Sequence, residues 1–291
     1  MRSPARKTRP WTAAGWAVAA ATALVVPVAS PAGPPPVAAA AAGEAAVRVI
    51  SYVDGRHEVI EEAGTGLATG AAVPDGLAPA AAPTAAGAAT AAKARPRQCT
   101  DGAYKRTGWR ISGTLKWYYN GAGAPSSVSR TASKAISTAA RRLVAGHNDC
   151  GMSRSFRVGQ RYAGASRRVP AVTASSCGTQ DGHSVVGWKR MSSSVLAVTC
   201  AWTSGSKVVS TDIAVNTRYR WFTSKPRGCS NRYDLESVLS HEWGHAFGLG
   251  HVSLSSHGTQ TMATAVRSCT TSKRTLGLGD YRGMQRIYGL R

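Results

Sequence analysis

The chain has 291 residues, with 36 Lys+Arg against 14 Asp+Glu and a formal net charge of +22. That length suits one or two domains, and beyond the N-terminus no segment is long and apolar enough to span a bilayer. The basic residues are scattered and no nucleic-acid motif accompanies them, so no specific nucleic-acid partner is expected; a basic surface is, with anionic cell-wall polymers as an electrostatic alternative.

Residues 1–42 read as a signal peptide. Arg2, Arg6, Lys7 and Arg9 precede an apolar stretch from Trp11 to Val28, and small residues follow through Ala42. A retained membrane anchor is the weaker alternative, because Pro27 and Pro34, Pro35 and Pro36 interrupt the stretch. No consecutive arginine pair indicates a twin-arginine route. The expectation is a secreted, extracellular protein. Residues 43–96 are rich in Ala, Pro and Gly and read as a linker or rudimentary propeptide, largely disordered, with one candidate strand at residues 47–53.

Residues 97–291 suit a single compact domain and hold all six cysteines: Cys99, Cys150, Cys177, Cys200, Cys229 and Cys269. An even count in an exported chain implies disulfides, although sequence does not choose among the pairings. The favoured set is Cys99–Cys150, Cys177–Cys200 and Cys229–Cys269. The last of these would staple the segments on either side of the helix described next. No C-x-x-C spacing supports a cysteine-bound structural zinc.

The predicted elements run in this order. A strand at residues 115–120 is followed by a helix from Ser126 or Ser127 to about Ala145. Strands follow at 155–158, 185–188, 195–202 and 208–216, the last expected at the edge of a cleft. A helix starts near Asp234, a fair N-cap, or Ser237, and ends near Gly248. A final helix covers about 280–288.

The chemistry is concentrated in His241-Glu242-Trp243-Gly244-His245-Ala246-Phe247-Gly248-Leu249-Gly250-His251. Residues i and i+4 share a helix face, so His241 and His245 can reach one metal. Gly248 lets the chain turn out of the helix, and His251 returns as a third nitrogen. Three histidines with a fourth position open are the donor set of a catalytic zinc. Glu242 is placed to act as general base and acid. Met262 follows His251 by eleven residues, in Thr261-Met262-Ala263-Thr264.

This run, with Met262, resembles the metzincin metallopeptidases. The form H-E-x-G-H-x-x-G-L-x-H, Thr211-Asp212-Ile213-Ala214-Val215-Asn216 and the C-terminal Asp280-Tyr281-Arg282-Gly283-Met284-Gln285-Arg286-Ile287-Tyr288-Gly289 are similar to the matrixin branch. The resemblance implies an α+β fold: a twisted, mostly parallel sheet with an antiparallel edge strand, an active-site helix and a C-terminal helix. It implies a zinc-dependent endopeptidase with His241, His245 and His251 as ligands of one zinc ion, Glu242 as catalytic residue and Met262 as a structural Met-turn. It implies protein or peptide substrates lying along the edge strand, with residues 208–210 and 259–267 shaping specificity. A monomer is expected.

There are departures from the pattern. Pro96-Arg97-Gln98-Cys99 is only a faint echo of the matrixin cysteine switch. Between residues 151 and 210 only Asp181 and His183 stand out as ligands, so a Ca2+ site or second zinc has little support. His147, His183 and His257 are given no ligand role, and Asp212 is expected to make structural hydrogen bonds. The rival reading is a non-catalytic zinc-containing cell-envelope binding protein.

Overall fold

The computed structural model describes residues 48–53, 95–173, 176–193 and 195–291. The expected signal peptide and most of the expected linker lie outside the described residues. The strands are β1 (Arg48–Val53), β2 (Lys105–Arg106), β3 (Thr114–Tyr119), β4 (Gly159–Ala165), β5 (Val185–Lys189), β6 (Val195–Ser204), β7 (Lys207–Asn216), β8 (Arg220–Phe222), β9 (Arg232–Asp234) and β10 (Leu249–Gly250). The helices are α1 (Ala132–Val144), α2 (Leu235–Ala246), α3 (Leu254–His257) and α4 (Leu278–Tyr288).

The main sheet has the order β1-β6-β7-β5-β3-β4. Every neighbouring pair is parallel except β6–β7, an antiparallel hairpin. This is the expected mixed α+β architecture. One placement differs. The strand at 208–216 was expected at the cleft edge, but β7 lies inside the sheet between β6 and β5. The antiparallel strand that flanks the site is β6, and its outer side pairs with β1. Residues 47–53, read as a candidate strand, correspond to β1.

The pattern of burial explains the layers. In β3, Leu115, Trp117 and Tyr119 alternate inward with period 2. In α1, Ala132, Ala135, Ile136, Ala139, Ala140 and Leu143 form one apolar stripe, and its small side chains allow α2 to approach closely. The indole of Trp243 on α2 donates to Ile136 O at 3.2 Å and stacks obliquely on Trp117 with centroids 5.0 Å apart. Strand β5 and the second part of β7, from Ser210 on, are buried almost throughout, as strands covered on both faces must be.

Two boundaries differ from the expectation. The helix predicted from Ser126 or Ser127 begins only at Ala132, because residues 125–131 form turns in which Val128 and Ser129 donate to Pro125 O. Residues 155–158 are not a strand: Phe156 makes an isolated bridge to Leu290, and the strand of this region is β4.

The structure pairs Cys99 with Cys150, Cys177 with Cys200 and Cys229 with Cys269, the set favoured from the sequence. Their Cα separations of 5.1, 5.7 and 5.7 Å are ordinary for disulfides. The second bridge anchors the crossover before β5 to β6, and the third joins the segment before β9 to the chain beyond Met262.

Candidate metal centre

Helix α2 carries the first two histidines, and its start is fixed by charge. Asp234 caps it, accepting from Ser237 N at 3.0 Å and Ser237 Oγ at 2.6 Å. The buried Asp234 carboxylate also takes a fork from Arg274, Nε to Oδ2 at 2.8 Å and Nη2 to Oδ1 at 2.6 Å. Arg142 pairs with Glu236 in the first turn. Burial pushes the Glu236 carboxyl up, against the pull of Arg142 and Arg274.

The helix end is fixed by shape. Gly248 has φ +92°, and a Cβ there would lie 2.3 Å from Trp109 O, so only glycine lets the chain turn at this point. Beyond the turn, β10 pairs with β2 and leads to His251.

The three imidazoles converge. Their Nε2 atoms lie 2.9 Å (His241–His245), 3.0 Å (His245–His251) and 3.1 Å (His241–His251) apart. His241 Nδ1 faces Thr261 O at 2.8 Å, and His245 Nδ1 faces Leu249 O at 2.9 Å. Those carbonyls take the Nδ1 protons, which leaves both Nε2 atoms as bare lone pairs pointing at each other. Such an arrangement repels unless a cation lies between. Burial, followed by the neighbouring histidines, holds His241 and His245 well below the usual imidazole range; His251 is lowered to about 4 by burial, Lys273 and Lys105. The three therefore stay neutral and able to ligate. Nitrogens bound to one zinc lie roughly 3.0–3.4 Å apart, close to this triangle. The donor set fits zinc.

Glu242 is fully buried beside the histidines. Its Oε2 accepts from Thr199 Oγ1 at 2.5 Å, while Oε1 is buried with no hydrogen-bond partner among the described residues. Burial pushes this carboxyl up to about 8, against the hydrogen bond from Thr199.

Met262 sits beneath the group, 1% exposed. A Cβ on Gly244 would fall 2.3 Å from Met262 Sδ, so the absence of a side chain at Gly244 makes room for this methionine. Asp280 holds the turn from below, accepting from Thr261 N at 2.7 Å, Met262 N at 3.2 Å and Gly277 N at 3.0 Å. The buried Lys273 donates to Ala265 O at 2.7 Å, and burial lowers its ammonium to about 8.

The residues set aside as non-ligands lie elsewhere. His183 stacks near Tyr118 and contacts Asp181, and His257 bonds Asp101 at 3.0 Å. His147 is exposed, and its carbonyl accepts from Leu276 N. Asp212 accepts from Ala171 N at 2.6 Å and Val185 N at 2.8 Å, the structural bonding expected of it. Among the described residues, His241, His245 and His251 form the one group of three or more potential metal ligands. Val208 and Val209 line a hollow of about 360 Å³ with Ile111, Leu115 and His183. Sequence reasoning missed Thr199, Lys273 and the turn-holding role of Asp280. Only Asp280 had a local signal, as an acidic residue in the first turn of α4.

The family model for matrixin matches residues 182–289. No curated protein matches the chain. The matched segment takes in β5 to α4 and holds all three histidines. A matrixin segment with this donor set implies zinc and, at the level of the family, a metalloprotease acting on proteins or peptides. Residues 182–289, built around His241, His245 and His251, thus match the matrixin family in sequence and carry the three-histidine group of a matrixin-like metzincin site.

Proposed function

We propose that the protein is a secreted zinc-dependent endopeptidase, with residues 97–291 as its catalytic domain and residues 1–42 removed on export. His241, His245 and His251 are its zinc ligands and Glu242 its general base and acid. The observation that carries this reading is the triangle of Nε2 atoms on residues adjoining a buried carboxylate with one oxygen unpartnered among the described residues.

Hydrolysis of a peptide bond adds water across C–N, so a proton must leave the attacking water and reach the amine nitrogen. His241, His245 and His251 would hold the zinc ion, which would supply Lewis acidity to the water and the substrate carbonyl. Glu242 Oε1 is the free acceptor that takes the proton and returns it to the leaving amine. The Thr261 and Leu249 carbonyls fix the ring orientation of His241 and His245. Met262 packs under the group and takes no ligand role.

The test is incubation of the full chain, zinc-loaded, with casein, beside Glu242→Ala and a chelator-treated sample. Cleavage by the wild type and a loss of about 100-fold or more in both controls is the expected result. Stoichiometric zinc binding without cleavage of any unfolded protein would leave the envelope-binding alternative. N-terminal sequencing of the exported protein checks removal of residues 1–42.

A further inference from the structure

Strand β6 carries a buried hydroxyl that its neighbours do not account for. Val198 and Cys200, on either side of Thr199, pack into a cluster with Val172, Met191 and Ala214. By the alternation of a strand, Thr199 points the other way, towards α2. It is 1% exposed. A hydroxyl taken out of water needs a partner, and Thr199 Oγ1 finds two on one residue: Glu242 O at 3.2 Å and Glu242 Oε2 at 2.5 Å. The carboxylate is the stronger acceptor.

The platform behind that hydroxyl is rigid. Thr199 is hydrogen-bonded into the sheet opposite Ile213, and its neighbour Cys200 is bridged to Cys177. A β-branched residue on a strand has few rotamers, so the direction of Oγ1 is set by the sheet and not by the helix. Glu242, by contrast, is a long side chain that would otherwise swing within its site. Anchoring Oε2 makes the two carboxylate oxygens unequal: one is held and the other, Oε1, has no partner among the described residues.

We propose that Thr199 is the positioning residue for the general base, its hydroxyl fixing Glu242 Oε2 so that Oε1 faces the proton to be moved. This role presupposes the peptidase reading above. It also gives β6 a part in orienting the general base.

The test compares wild type, Thr199→Val and Thr199→Ser in the full, zinc-loaded chain, each also in the Glu242→Ala background. Thr199→Val keeps the shape and removes the hydroxyl; Thr199→Ser keeps the hydroxyl. The readouts are kcat and KM on a fluorogenic peptide, zinc affinity by chelator competition, melting temperature, and affinity for a peptide hydroxamate, which needs an oriented Glu242 carboxylate to accept its proton. Thr199→Val is expected to lower kcat by about 10- to 100-fold with KM and zinc affinity nearly unchanged, and to weaken the hydroxamate about 10-fold. Thr199→Ser should stay within about 3-fold of wild type in both. In the Glu242→Ala background Thr199→Val should have no further effect. Should melting show Thr199→Val to be unfolded, Thr199→Ala takes its place.

Wild-type kcat and hydroxamate affinity in Thr199→Val would overturn the proposal. So would equal losses in Val and Ser, or an undiminished loss in the Glu242→Ala background, each of which marks a packing role. A wild type that binds the hydroxamate but cleaves nothing sinks the peptidase reading alone, and the hydroxamate comparison still decides the role of Thr199. No hydroxamate binding by the zinc-loaded wild type removes both.

Discussion

Gly244 is the position in α2 with the least room for change. Its missing side chain is the space that Met262 Sδ occupies, so Gly244→Ala forces the methionine or the helix to move. Overpacking of this kind costs about 1–3 kcal/mol, and the variant is expected to melt lower and bind zinc more weakly. Equal melting curves for the two proteins would refute the close contact. Asp212 offers a test by pH. Burial raises its carboxyl to about 6, against the N–H groups of Ala171 and Val185. The folded value lies above that of an unfolded aspartate, about 3.9, so folding favours the protonated form. That contribution, about 3 kcal/mol, is fully present below pH ~4 and is lost as pH rises through about 6. Melting temperature measured from pH 4 to 7 should therefore show a smaller decline, or a steeper rise, in Asp212→Asn than in wild type; parallel curves would contradict the shift. The histidines were legible as a site because their relation is local: helix spacing and one glycine turn bring them together. Thr199 was not, since its contact with Glu242 depends on how a strand packs on a helix far along the chain. No spacing rule encodes that contact.

Among the elements, α2 owes its position to more than its own sequence. Its cap, Asp234, is buried and bonded by Ser237 and by the Arg274 fork, so removing the carboxylate leaves Arg274 without its main partner. Asp234→Ala is expected to lower stability by about 3–5 kcal/mol, read by denaturant unfolding. A loss of about 1 kcal/mol would mean that the carboxylate acts as a cap alone. The Cys229–Cys269 bridge encloses the same region. Closing its loop contributes roughly 4 kcal/mol in the chain-entropy account, so Cys229→Ala with Cys269→Ala should lower the melting temperature markedly while leaving the histidine spacing intact. The elements read correctly from the sequence were those with clear periods: the alternation in β3, the apolar runs of β5 to β7, the capped α2. β4 escaped because Gly159-Gln160-Arg161-Tyr162-Ala163-Gly164-Ala165 is half-buried and short of β-branched residues. The start of α1 was set too early because residues 126–131 hold several cap formers and the turn at Pro125 competes with the helix. The place of β7 inside the sheet was not legible at all, since strand order is a non-local property.

At the scale of the whole molecule, the mixed α+β class followed from the order of elements together with the family resemblance, and the three cysteine pairs agree with the set chosen for bracketing those elements. The net charge of +22 remains a property of the surface. Two lone pairs held face to face in a dry interior have one further consequence. The folded chain gathers three imidazole nitrogens where one cation can bind them together, and an unfolded chain, with its imidazoles in water, does not. Metal concentration and folding are thus two sides of one equilibrium. Free zinc at 1,000 times its dissociation constant adds about 4 kcal/mol to the folded state by mass action. A chelator should lower the melting temperature, and lower it least in His251→Ala, where the triangle has lost a corner. Coincident melting curves with and without chelator would show that the fold is indifferent to what its histidines hold. If the curves separate, zinc supply sets how much of the protein stays folded.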